Sequence, residues 1–158
     1  MIHLHIEAIP SSNNAQQGKG GMKRAMKYQD EKKLWNSFIW TLRVNMKNRG
    51  ELTEEQLKPL QEATIILHYH FRTKARRDPD NYSGKMILDG LKNNGFISDD
   101  SFKEIDIFPM ADFGKAKSDS VDIYIISGRK LLTYASELIH ENQVMDQLNA
   151  LTEGVDDE

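Results

Sequence analysis

The sequence predicts one α+β (mixed α/β) domain, a small mixed β-sheet of about four strands with helices packed on it. Residues 2–9 and 63–71 alternate apolar and polar side chains with the period of two that is typical of half-buried strands. Between them, Leu34, Phe38 and Leu42 recur at four-residue spacing, which indicates a helix buried along one face. A chain of 158 residues is long enough to bury a core as a single domain.

The predicted helices follow from these patterns and from their end signals. The first covers about residues 28–47, and Asn48-Arg49-Gly50 ends it. Thr53 to Gln56 resembles a capping box, which predicts a short helix there. A further helix covers about residues 82–93. Asn81 is its expected N-cap, and Gly95 is the left-handed residue expected to stop it.

Two further strands are predicted near residues 105–110 and 121–126, and the segment between them suits a hairpin connection. The unit from residue 63 to residue 110 is long enough for a right-handed crossover, if its two strands are parallel. We therefore expect a folded domain over residues 1–128. An amphipathic C-terminal helix over residues 129–151 and an acidic, disordered tail over residues 152–158 should follow it.

Composition excludes several classes of protein. The chain has no cysteine, so disulfides, cysteine-based zinc sites and cysteine nucleophiles are excluded. Its apolar runs are far shorter than the ~20 residues that span a bilayer, and its N-terminus lacks the pattern of a signal peptide. We expect a cytoplasmic protein with no membrane partner.

Charge is divided unevenly along the chain, although the net charge is only −3. All 21 Lys and Arg lie within residues 1–130, whereas seven of the 24 Asp and Glu come after them, so residues 1–130 carry a net charge of +4. A basic body fits a polyanionic partner, although a solvated surface with an acidic tail would have the same charge pattern.

Two pairs of aspartates are the strongest candidates for chemistry. Asp78 and Asp80 follow the strand at residues 63–71, two apart on an extended chain, so their side chains should point the same way. Asp99 and Asp100 come after the next helix, which returns the chain towards its starting edge, so Asp100 could join the first pair. Three converging carboxylates need a cation, and oxygen ligands favour Mg²⁺, Mn²⁺ or Ca²⁺. Mg²⁺ would polarise a phosphodiester and activate water.

A calcium loop is the sharpest alternative for the Asp-x-Asp pattern. Counted from Asp78 as position one, an EF-hand requires Asp or Asn at position five, Gly at position six and Glu at position twelve. The chain has Tyr82, Ser83 and Asp89 there. The sequence therefore disfavours an EF-hand.

Basic residues surround the predicted metal site. Lys85, one turn into the helix, either stabilises charge on a scissile phosphate or forms an i,i+4 salt bridge with Asp89. Cations near the aspartates and in an earlier Gly-rich loop are expected to hold flanking phosphates. These expected DNA-binding residues are Arg72, Lys74, Arg76, Arg77, Lys19, Lys23, Arg24 and Lys27.

Histidines and tryptophans give weaker signals. His68 and His70 form a His-x-His pair, but no third ligand is visible, so they are interpreted as surface or sheet-packing residues. His3 and His5 have the same interpretation. The aromatic residues of the first helix, Trp35, Phe38 and Trp40, are expected in the core.

The stretch RRDPDNYSGKMILDGLKNNGFISDDS, from Arg76 to Ser101, resembles the signature of RusA-type Holliday-junction resolvases. That signature has a basic run, D-x-D-N, a helix with a Lys followed by D-[AG]-L, and a Gly-containing turn into D-D-[SA]. Ser12-Asn13-Asn14 is similar to the P-S-N-N after the family's first strand, and the resemblance covers roughly residues 2–126. Two features depart from the pattern: the interval from Asp80 to Lys85 is one residue longer, and the chain from about Gly128 has no counterpart.

The resemblance implies a homodimer that binds four-way DNA junctions and makes paired, symmetric nicks with Mg²⁺ or Mn²⁺. It implies that Asp78, Asp80 and Asp100 bind the metal and that Lys85 is the catalytic lysine, with no small-molecule cofactor. Two alternatives stay open: a nuclease acting on other branched DNA such as forks and flaps, and a non-catalytic binder of branched DNA. A carboxylate cluster, which repels phosphates, disfavours the pure binder.

Overall fold

The computed structural model of the chain describes residues 1–12, 21–131, 133–137 and 140, with only the backbone of residues 21–24 and of Asp80. The predicted C-terminal helix lies mostly outside these residues, and the predicted acidic tail lies wholly outside them. Among the earlier basic residues, Lys19 and the side chains of Lys23 and Arg24 also lie outside them.

The described chain forms four strands, two helices and one 3₁₀ turn, and residues 130–131 and 133–137 after β4 are also helical. In chain order these are β1 (Ile2–Ile6), α1 (Gly21–Asn48), β2 (Ala63–Phe71), the 3₁₀ turn (Pro79–Tyr82), α2 (Lys85–Asn93), β3 (Ile105–Phe113) and β4 (Ser120–Ser127). The strands lie in one sheet in the order β1-β4-β2-β3. The β2–β3 pair is parallel, whereas β4 is antiparallel to both β1 and β2. The predicted small mixed sheet with helices is confirmed.

The predicted hairpin between the last two strands is wrong, because β2 lies between β3 and β4. Its residue His70 is opposite Asp112 of β3 on one side and Ser120 of β4 on the other. The apolar residues of one β2 face, including Ile65 and Leu67, are fully buried. Such a strand belongs in the centre of the sheet, where it has a partner on each side.

Helix α1 begins earlier than predicted and turns a different face to the core. Its buried residues are Trp35 and Ile39, whereas Leu34 and Trp40 are half-exposed or more, so the prediction for Trp40 is wrong. Phe38 is partly buried against the core. A strict four-residue spacing drifts around a helix of 3.6 residues per turn, and this drift carries Leu34 away from the core.

Helix α2 begins at Lys85, three residues later than predicted. The N-cap is Gly84, with a φ of 74° and no side-chain cap, so the prediction of Asn81 as N-cap is wrong. The predicted stop at Gly95 is confirmed by its φ of 71°. The Thr53–Gln56 capping-box hydrogen bonds form, at 2.9 and 3.2 Å, but they close a turn rather than a helix.

Both helices pack on one face of the sheet and contact each other. A Cβ on Gly90 of α2 would lie 2.5 Å from Ile39 Cδ1 of α1, so the absence of a side chain at Gly90 permits their close approach. None of the helices in the described residues combines the length and apolarity needed to span a bilayer.

The chain leaving β4 is tied back to β2. The Thr64 hydroxyl donates to Gly128 O at 2.9 Å and accepts from the Lys130 N–H at 2.7 Å. The Gly128 N–H donates to Glu62 O at 2.9 Å. The Arg129 guanidinium also pairs with Asp106 of β3 at 3.0 Å. The residues after β4 therefore begin on the face of the sheet that carries Thr64.

Candidate active site

The loop after β2 holds the predicted phosphate-binding residues. Arg72 is anchored by its backbone N–H, which donates to Asp119 Oδ1 at 2.7 Å, and its side chain is exposed. Arg76 is almost fully exposed and pairs with Asp78 at 3.1 Å. Arg77 is partly buried with its guanidinium 5.0 Å from the Phe71 ring centroid. Arg77 is therefore packed on the fold, whereas Arg72 and Arg76 face solvent.

An aromatic cavity of about 230 Å³ lies beside Asp78. The Tyr69 hydroxyl at its wall donates to Tyr82 O at 3.2 Å, and burial raises the pKa of Tyr69 above its usual range. The cavity is lined by Tyr69, Phe71, Arg77, Asp78, Pro79, Tyr82, Pro109, Met110, Ala111 and Phe113. These side chains fix the loop between β2 and the 3₁₀ turn against the carboxyl ends of β2 and β3.

Asp80 lies in the 3₁₀ turn, one residue after Pro79. The Asn81 N–H donates to Asp78 O at 3.0 Å, which closes this turn. The side chain of Asp80 is outside the described part of the structure. The predicted meeting of Asp78, Asp80 and Asp100 stays a prediction.

Asp89 of α2 pairs with two lysines, Lys85 of the same helix and Lys32 of α1. Lys85 Nζ lies 3.7 Å from Asp89 Oδ1, and Lys32 Nζ lies 2.8 Å from Asp89 Oδ2. The Lys85 side chain is 61% exposed, whereas that of Asp89 is 14% exposed. Hydrogen bonding to Asp89 raises the pKa of Lys32, against an opposing effect of burial, and the charge of Asp100 adds a smaller increase.

Asp99 and Asp100 share Lys92, from the last turn of α2. Lys92 Nζ contacts Asp99 Oδ1 and lies 3.1 Å from Asp100 Oδ1. Its hydrogen bonds, first to Asp99 and then to Asp100, raise the pKa of Lys92 and lower that of Asp99. Asp100 is the less exposed of the two carboxylates.

These contacts join residues from three elements into one cluster, which we call the α2 charge cluster: Lys32, Lys85, Asp89, Lys92, Asp99 and Asp100. Lys85, Asp89 and Lys92 are spaced i, i+4 and i+7 along α2, so one face of this helix connects the two halves of the cluster. Sequence reasoning missed Lys32, although a signal was present. Lys32 precedes the buried Trp35 and Ile39 by three and seven residues, which places a cation on the helix face that packs on the core.

A second cluster includes His68 and His70. Asp112 of β3 supplies the third potential ligand that the sequence did not reveal, with donor atoms of the three residues within 4.8 Å of one another. Asp112 was missed because its position opposite His70 depends on the register of β2 and β3, which no local pattern gives.

Comparison with known proteins finds no family model that matches the chain and no curated protein that matches it. The resemblance noted above rests on the residues of the motif themselves.

Proposed function

We propose that the protein is a Mg²⁺-dependent endodeoxyribonuclease that resolves four-way DNA junctions by paired, symmetric nicks, as its resemblance to RusA-type resolvases implies. The observation that carries the proposal is the α2 charge cluster. It places Lys85, Asp89 and Lys92 on one face of α2, where Asp89 pairs with Lys32 of α1 and Lys92 pairs with Asp100.

The carboxylates of the motif fit a hard divalent cation. The motif offers carboxylate oxygens as ligands, and Mg²⁺ prefers oxygen ligands. The side chains of Asp78 and Asp100 are 53% and 26% exposed, so a hydrated ion can reach both. Asp78, Asp80 and Asp100 would hold Mg²⁺. When bound, the ion would polarise the phosphodiester and lower the pKa of the attacking water.

Lys85 is assigned to the scissile phosphate. Its 3.7 Å ion pair with Asp89 is long, and its side chain is mostly exposed, so little free energy is needed to turn the ammonium towards an incoming phosphate. Asp89 is held by the shorter contact to Lys32 and keeps the Lys85 ammonium near the start of α2. Lys32 is thus a positioning residue for Lys85.

Binding of DNA is assigned to the exposed cations. Arg72, Lys74 and Arg76 would contact phosphates that flank the cleaved bond, together with the basic residues that precede and begin α1. Each phosphate contact releases counterions, so affinity should fall steeply with salt. A homodimer would present two active sites to the two cleaved strands of a symmetric junction.

Cleavage of a synthetic four-way junction, with and without Mg²⁺, tests the proposal. Wild-type protein should produce symmetric nicks only with the metal. The Asp80→Asn and Asp100→Asn variants should bind the junction in a gel-shift assay but lose at least about 100-fold in cleavage rate, because each removes a metal ligand.

Asp99→Asn is the matched control, because Asp99 contacts the same lysine as Asp100. It should cut within a few-fold of wild type. If Asp100→Asn cuts as fast as Asp99→Asn, the assignment of Asp100 is wrong. If wild-type protein leaves junctions, forks and flaps intact with Mg²⁺ or Mn²⁺, the proposal that it is a nuclease is wrong. If it cuts forks or flaps but not four-way junctions, the proposed substrate is wrong.

A further inference from the structure

The face of the sheet opposite α1 and α2 carries four histidines and two aspartates. On β1 and β2 the histidines alternate with the core residues, so they point away from the helices, and strand register places Asp122 opposite His5 and His68 and Asp112 opposite His70. The register of the four strands brings them side by side. The members are His3 and His5 of β1, Asp122 of β4, His68 and His70 of β2, and Asp112 of β3.

Three of these side chains bring donor atoms close together. His68 Nε2 lies 3.1 Å from Asp112 Oδ2, and His70 Nδ1 lies 3.8 Å from the same oxygen. All three donors lie within 4.8 Å of one another. Donors bound to one tetrahedral zinc ion at about 2.0–2.1 Å are separated by about 3.3 Å. The observed spacing is therefore close to that of a bound set.

His68 forms a hydrogen bond to Asp112 Oδ2 at 3.1 Å, whereas His70 does not. The distance of 3.8 Å from His70 Nδ1 to that oxygen is too long for a hydrogen bond. An ion bound between His70 Nδ1 and Asp112 Oδ2 could be coordinated by both atoms.

Asp122 orients the second ligand. His70 Nε2 lies 2.7 Å from Asp122 Oδ2, and this bond leaves Nδ1 as the nitrogen facing Asp112. A histidine that binds a metal usually donates its other ring N–H to a carboxylate, which fixes the tautomer. Asp122 also accepts from His3 at 2.7 Å and His5 at 2.9 Å. Burial alone would raise the pKa of Asp122, but these three hydrogen bonds outweigh it and lower the pKa to about 2.

We propose that His68, His70 and Asp112 form a binding site for a divalent transition-metal ion of the Zn²⁺ class, with Asp122 orienting His70. Imidazole nitrogens select such ions over Mg²⁺. The side chains of His68 and His70 are about one-fifth exposed and that of Asp112 is 46% exposed, so the remaining coordination position is open to water. The ion would join central strand β2 to β3. This site lies on the opposite face of the sheet from α2 and is independent of the proposed nuclease.

Zinc titration of the full chain, with any affinity tag removed, tests the proposal. The titration contains excess Mg²⁺, which occupies sites made only of oxygen ligands but competes poorly for imidazole nitrogens. Competition with a chromogenic chelator should show one Zn²⁺ per chain, and Co²⁺ should give the visible absorption of a four-coordinate ion. His68→Gln and Asp112→Asn should abolish this stoichiometric uptake. Asp122→Asn should weaken it about 10- to 100-fold.

His5→Gln is the matched control, because His5 lies on the same face and contacts Asp122 but is not one of the three ligands. It should bind Zn²⁺ within a few-fold of wild type. The proposal is overturned if wild-type protein takes up no Zn²⁺, or if His68→Gln and Asp112→Asn both bind it as well as His5→Gln does. The two ligand variants change exposed or partly exposed side chains on different strands, so circular dichroism should show that both fold. Asp80→Asn should bind Zn²⁺ normally, which separates this test from that of the nuclease.

Discussion

Gly84 holds the start of α2 against the sheet, and Gly84→Ala should destabilise the protein by about 2–5 kcal/mol. About 1–2 kcal/mol comes from placing a Cβ at a φ of 74°. The rest, about 1–3 kcal/mol, comes from overpacking, since the new Cβ would lie 2.2 Å from Leu67 Cδ1. Leu67 is fully buried, so its side chain has no free space into which to move.

Gly50→Ala provides the matched control, because Gly50 has a φ of 69° and nothing within 4 Å of its Cβ position. It should cost only about 1–2 kcal/mol. Urea unfolding at equilibrium measures both, and an unchanged m-value would show that the same surface is exposed. In a Leu67→Val background, which lacks the clashing carbon, the excess cost of Gly84→Ala should largely disappear. If Gly84→Ala and Gly50→Ala lower the free energy of unfolding equally, Gly84 does not pack closely against Leu67.

Two further predictions concern single contacts. Because burial raises the pKa of Tyr69, the folded state keeps its proton where the unfolded state loses it. Stability from Tyr69 is thus present below about pH 10 and lost above it. Tyr69→Phe should flatten this alkaline loss in unfolding experiments, and an unchanged pH profile would contradict the assignment. Arg129→Gln should cost about 1–3 kcal/mol by urea unfolding, because Arg129 pairs with the nearly buried Asp106 at 3.0 Å. Arg49 forms an exposed ion pair with Glu51 at 3.6 Å, so Arg49→Gln should lower the free energy of unfolding by less than about 1 kcal/mol. If Arg49→Gln and Arg129→Gln destabilise the protein equally, the burial of Asp106 does not strengthen its ion pair.

Local patterns predicted much of the fold. The alternation in β2 gave its bounds, Ala63–Phe71, because a strand buried along one face repeats every two residues. The left-handed conformation of Gly95 was predicted because glycine adopts positive φ at little cost. Both properties belong to a short stretch of chain and need no knowledge of its neighbours.

Features set by tertiary contacts were missed or misplaced. The place of β2 between β3 and β4 depends on competition among strands, so turn residues alone suggested a hairpin. The start of α2 depends on how Gly84 fits against Leu67, so the N-cap is Gly84 and not the expected Asn81.

In the candidate site, too, the sequence did not predict the contacts between distant parts of the chain. The motif placed Lys85 and Asp100 in one stretch of sequence, whereas the pairing of Asp89 with Lys32 depends on how α1 and α2 pack together. Asp112 is separated from His70 by more than 40 residues, and only strand register pairs them. Ligands contributed by separate strands leave no spacing rule in the sequence.

The Thr64 hydroxyl has a consequence for where the chain can be shortened. It is buried in β2 and bonds to both Gly128 and Lys130. A truncation after residue 128 would remove one of these partners and also the guanidinium that neutralises Asp106. Truncation after Gly128 should therefore destabilise the sheet, whereas truncation after Lys130 keeps these contacts.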